Sequence, residues 1–335
     1  MSTGPKSWDA AQLGFGSLGA GLTRSAASGL RWLTQPARSA VEGQLRNAFD
    51  SNRFPLERYD EPAGDPGWFG PDSVTWWAHA DLSMVVGGFG SLMLQALHPL
   101  AMAGVVEHSD FKERPFERLS RTASFVAATT YGDTETAEKL CRIVRRTHRH
   151  INGVAPDGRP YDANDPALLR WVHVAEVSMF VAANARFGRR VMTSVEVDRY
   201  YDEMAVVAEA LGATDVPRSA AEVAQYFVGI QPDLHGGQQA QETLRFLGTP
   251  PESDPVARSV AGMFSAAAWG LLPHWAYGLY RRPGPGPVER ATVAASTRII
   301  LGSLAAAAGD NPVLEVATAR ARATPQAAQR PLSST

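Results

Sequence analysis

A few side chains in this sequence have the chemistry to hold a metal or move a proton, and their spacing says which can act together. The stretch VRRTHRHING, residues 144–153, carries His148 and His150. Two residues apart on a helix means about 200° apart around its axis, so these imidazoles cannot grip one ion together. Ala137, Leu140, Cys141, Val144, His148 and Ile151 recur at helical spacing and define one apolar face. His148 is on that face and His150 is off it. A second inward histidine, His173, falls on the stripe Leu169, His173, Glu176, Val177, Phe180 and Ala183. Arg118 and Thr122, one helical turn apart, flank a third stripe made by Phe116, Leu119, Ala123, Val126 and Ala127. A buried arginine beside a hydroxyl needs an anion, and Glu107 or a ligand carboxylate could supply it. The plain alternatives stand beside these readings. His148 could be a core histidine bonded to a backbone carbonyl, and Arg118 a surface partner of Glu113 or Glu117.

The elements that must position these groups are legible from their ends. Asp133 is a good N-cap, Glu135 and Glu138 follow it, and Arg145, Arg146 and Arg149 crowd the far end, as the helix dipole favours. Gly153 is the expected C-terminal stop of that helix. The next helix starts at Asn164-Asp165-Pro166, a cap followed by proline at the first helical position. Leu82 to Val106 carries no formal charge and is long enough to span a bilayer. Gln95, His98 and Pro99 within it argue instead for a buried central helix bent near Pro99, with membrane contact as the alternative. No alternating run of strand length stands out. The expectation is an all-α protein: one large helical domain over 76–316, an N-terminal helical extension over 1–53, a loop over 54–75 and a disordered tail over 317–335.

Composition closes off several classes. The 335 residues have a formal net charge of −2, so the arginines of VRRTHRHING are balanced elsewhere and no nucleic-acid partner is expected. One cysteine, Cys141, excludes an internal disulfide or a cysteine-rich zinc site. It is a possible thiolate ligand, although an isolated cysteine is usually a small core residue. The N-terminus lacks a basic start before an apolar run, which points to a cytoplasmic protein, with membrane association left open by Leu82–Val106. No P-loop, dinucleotide fingerprint or nucleophile elbow is present.

Three segments together resemble a known family. LQALHPLAMAGVVEHSDFKERPFERLSRTASFVAATTYGD, then RRTHRHINGV, then Tyr161-x-x-Asn164-Asp165-Pro166-x-Leu168-Leu169-x-Trp171-Val172-His173 are similar to the helical domain of the latex clearing proteins (rubber oxygenases) and mpaB-type oxygenases. The resemblance implies a globin-like helical core and a non-covalent haem b. It also implies dioxygen chemistry on an apolar, isoprenoid- or lipid-like substrate. Position by position, it makes His148 the axial iron ligand and His173 a second histidine near the haem. It places Arg118 and Thr122 beside the haem, and Glu107 as the acidic residue that acts as a base. A carboxylate in an apolar setting would have the raised pKa such a base needs. A non-catalytic haem protein and a haem-free helical interaction protein are the alternatives.

Overall fold

The computed structural model describes residues 59–109, 115–249, 255–308 and 311–324. The expected N-terminal helical extension lies outside these. Among the described residues there are thirteen α-helices and two short strands.

The sequence of elements begins with α1 (Val74–His79), α2 (Ser83–Gln95), α3 (Pro99–His108), α4 (Pro115–Tyr131) and α5 (Thr134–His148). A hairpin of β1 (Asn152–Val154) and β2 (Pro160–Asp162) follows, then α6 (Pro166–Phe187) and α7 (Ser194–Leu211). The last third holds α8 (Ala220–Ile230), α9 (Gln238–Gly248), α10 (Pro255–Trp269), α11 (His274–Tyr280), α12 (Pro287–Ala308) and α13 (Pro312–Arg322).

The centre is α6, which is buried on nearly every side. Asp165 caps it by accepting from the Ala167 N–H, with proline at the first position as the sequence implied. Trp171, Ala175 and Met179 pack toward α2, while Val174, Val177 and Phe180 join Tyr200, Tyr201 and Met204 of α7. Two glycines bring α2 onto α6. A Cβ on Gly87 would sit 2.7 Å from Phe180 Cδ1, and one on Gly90 would sit 3.2 Å from Met179 Sδ. At Gly87 only a bare backbone fits without a shift.

The apolar stretch 82–106 is bent, as expected. α2 and α3 meet at 107° because Pro99 supplies no N–H to continue the first helix. α6 is long and apolar enough to cross a membrane, yet 61% of its apolar window is covered by the surrounding helices.

Two expectations are corrected. Asn152-Gly153 does not end a helix: α5 stops at His148 and Gly153 pairs with Tyr161 in the antiparallel hairpin. With three residues each, these strands are too short to show an alternating pattern. The tail expected from residue 317 is ordered at its start. Ala317 and Arg320 are buried within α13, and the Arg320 guanidinium donates to the carbonyls of Tyr59, Asp65 and Gly132. Three backbone acceptors satisfy a charge that composition alone would assign to solvent.

Candidate active site

His148 ends α5 and faces inward, half-buried, whereas His150 is exposed. Its Nδ1 is enclosed and has no hydrogen-bond partner among the described residues. Burial pulls its pKa below the ordinary histidine range, against the opposing effects of the Asp162 carboxylate and a hydrogen bond from the ring to the Ala163 backbone. The imidazole is therefore neutral, the form that binds metals. Cys141, on the same face, is buried, and burial pushes its thiol up to about 11. It is a small core residue rather than a thiolate ligand.

The hairpin brings a second group beside this helix end. Tyr161, on β2, lies over two glycines: Cβ atoms on Gly153 and Gly104 would sit 2.8 Å from its hydroxyl and 3.5 Å from its ring. Its hydroxyl donates to Glu107 Oε2 at 2.5 Å and meets His108 Nε2 at 3.0 Å. Burial and the Glu107 carboxylate push the phenol up to about 12. Glu107 itself is exposed. The apolar setting expected around it is absent, because the last turn of α3 emerges from the core beside the hairpin.

The sheltered carboxyl is on α6 instead. Glu176 is surrounded by protein, and burial pushes its pKa up to about 7. It still keeps some accessible surface. The register of α2 against α6 gives its neighbours. Gln95 donates to the Val172 carbonyl, and Gly87 packs on Phe180 one turn past Glu176. Glu176 thus lies across from the stretch 88–92 of α2. Val172, one turn before Glu176, is 37% exposed. His173 is buried, its Nε2 is enclosed without a partner, and burial pulls its pKa down to about 4.

Behind Glu176 runs a buried polar chain. His79, at the end of α1, meets Thr130 Oγ1 through Nδ1 at 2.8 Å and the Tyr200 hydroxyl through Nε2 at 2.9 Å. The Glu203 carboxylate fixes α1 against α7 by accepting from Val74 N–H, Thr75 N–H and the Thr75 hydroxyl. Burial pulls the His79 pKa down to about 4 and raises that of Tyr200, with Glu176 nearby adding to the second shift.

The structure therefore gathers His148, Glu107, His108 and Tyr161 around the hairpin, and His173 and Glu176 along α6. No hydrogen bond or ring contact joins the two groups among the described residues. α6 still ties them, since Asn164 donates to the Arg145 carbonyl in the last turn of α5. Thr122 is exposed on α4; the Arg118 side chain lies outside the described residues. His98, at the bend, has its ring 5.9 Å from that of Trp171 and lies in the core. His235 and His274 are exposed. Sequence reasoning missed His79 and Tyr200, which sit on short or distant helices with no motif around them.

The sequence model of the family described as ER-bound oxygenase mpaB/B'/Rubber oxygenase, catalytic domain, matches residues 76–302. No curated protein and no solved structure matches the chain. The matched span runs from α1 through most of α12 and takes in His173 and Glu176 on α6 and every residue of the hairpin group. The chain belongs to the mpaB/rubber oxygenase catalytic-domain family.

Proposed function

We propose that this protein is a haem b-dependent oxygenase that uses dioxygen on an apolar, isoprenoid- or lipid-like substrate. The observation that carries the reading is His148: a neutral imidazole with an enclosed, unpaired nitrogen on the inward face of α5, in a chain of an oxygenase family. The residues fit a haem. His148 and His173 each keep an enclosed nitrogen without a partner among the described residues. A haem iron takes a neutral imidazole nitrogen delivered from a rigid helix.

Under this reading His148 would hold the iron, His173 would line the pocket, and Arg118 and Thr122, both on α4, would bind the haem or its oxygen ligand. Haem b supplies the redox-active iron that activates dioxygen. The Tyr161 hydroxyl orients the Glu107 carboxylate, leaving its second oxygen to accept a proton. The partners are dioxygen and an apolar small molecule, taken up in the cytoplasm or at a membrane surface, with no nucleic acid.

The test is the absorption spectrum of the protein purified after expression with supplied haem. A Soret band is expected in wild type and in His150→Ala, and its loss in His148→Ala. A colourless wild type refutes the reading. With a polyprenyl substrate, oxygen consumption should fall in Glu107→Gln and Arg118→Ala while the Soret band persists; a non-catalytic haem protein would show the band and no consumption.

A further inference from the structure

Three helices end or begin at one corner of the domain. α6 finishes at Phe187, α10 finishes at Trp269, and α12 starts at Pro287. Between them lies a cavity of about 20 Å³, room for one small group. Much of its wall is apolar, with Phe187 from α6, Leu271 from the turn after α10 and Val293 from α12. It is about 20 Å along α6 from His173, at 1.5 Å per residue, and so is distinct from the haem reading above.

Positive charge gathers at the same place. Arg186, half-buried in the last turn of α6, and Arg290, exposed near the start of α12, both line the cavity. Among the described residues no carboxylate lies within ion-pair distance of either guanidinium. Arg290 makes one hydrogen bond, to the Pro285 carbonyl at 3.3 Å. Arg298, two turns along α12, is tied to the end of α6: its Nε and Nη2 donate to the Arg186 carbonyl at 3.1 and 2.7 Å. Burial, with repulsion from Arg298 and Arg290, pulls the Arg186 pKa below the ordinary arginine range. Cations drawn together around a cleft without a counter-charge favour the arrival of an anion.

The lining narrows the kind of anion. Glu289 also borders the cavity, so two guanidiniums and one carboxylate leave a single net positive charge there. A monoanion cancels it, whereas a phosphate dianion overshoots and faces Glu289. Guanidinium N–H groups match a carboxylate in geometry as well as charge. We propose that this cleft binds the carboxylate of an aliphatic acid, with Arg186 and Arg290 donating to its oxygens and Phe187, Leu271 and Val293 against its carbons. The site needs no haem.

Saturation-transfer NMR on the full chain, with butyrate as the probe, tests it. Wild type should bind butyrate saturably below about 10 mM, and 1-butanol, the same carbon chain without the charge, should not bind. Arg186→Gln and Arg290→Gln should each weaken butyrate at least about tenfold, since each removes a charge-assisted hydrogen bond. Inorganic phosphate should displace butyrate poorly from wild type and at least about tenfold better from Glu289→Gln, where the opposing charge is gone. No saturable butyrate binding, equal binding of 1-butanol, or equal butyrate affinity in wild type and both arginine variants overturns the proposal. Phosphate that competes as well in wild type as in Glu289→Gln overturns the choice of a monoanion. Arg290 and Glu289 are exposed, so their variants keep the test decisive even where Arg186→Gln fails to fold.

Discussion

Acidifying the cofactor-free protein should destabilise it by an amount the buried groups allow one to work out. His79, His98 and His173 are each pulled by burial from 6.5 to about 4. Well above pH 6.5 neither folded nor unfolded chain protonates them, and they leave stability untouched. As pH falls from there toward 4, the unfolded chain takes up protons that the folded one refuses, and stability is lost. Between about pH 7 and pH 5 this amounts to about 2 kcal/mol per histidine, or about 5–6 kcal/mol together. Glu176 works the other way. Its folded pKa of about 7 lies above the ordinary 4.5, so the fold favours its acid form, and that contribution fades as pH rises through 7. Over the same interval acidification returns about 2 kcal/mol through Glu176, leaving a net loss of about 3 kcal/mol. That is a large share of the roughly 5–15 kcal/mol that holds a typical domain together. Urea unfolding followed by tryptophan fluorescence at the two pH values measures the loss directly. Glu176→Gln removes the compensating term, so its loss should steepen to about 5–6 kcal/mol. A wild-type loss below about 1 kcal/mol, or equal losses in wild type and Glu176→Gln, would refute the assignment of these groups as buried and neutral.

Other outcomes follow from the packing. Arg320→Met leaves three backbone carbonyls without their donor and should cost about 3 kcal/mol or more, read as a fall in urea midpoint at constant slope. Gly87→Ala pushes a methyl to within 2.7 Å of Phe180, and should destabilise by about 1–3 kcal/mol in the same assay. Gly88→Ala points into open space, and should stabilise α2 by up to about 1 kcal/mol through helix propensity.

What the sequence makes legible is local. Asp133 and Asp165-Pro166 mark helix starts because a cap and its helix are contiguous, and both act as caps in the structure. The inward placement of His148 and His173 follows from helical spacing in the same way. The state of a side chain is harder to see, since it depends on what distant elements bring to it. Glu107 lacks its apolar surroundings because α3 ends where it does. Glu176 gains its shelter from Tyr200 on α7 and the chain that reaches back to His79 on α1. The hairpin escaped notice because six strand residues carry no period. The order in α13 was masked by a composition of small residues whose one decisive member, Arg320, finds its acceptors at the opposite end of the domain.

That last contact has a consequence for how the chain is made. The carbonyl of Asp65 waits for a guanidinium 255 residues further along. At synthesis rates of roughly 5–20 residues per second, the segment before α1 spends roughly 10–50 s on the ribosome without its closing partner. The first-made turns of this domain are therefore among the last to settle.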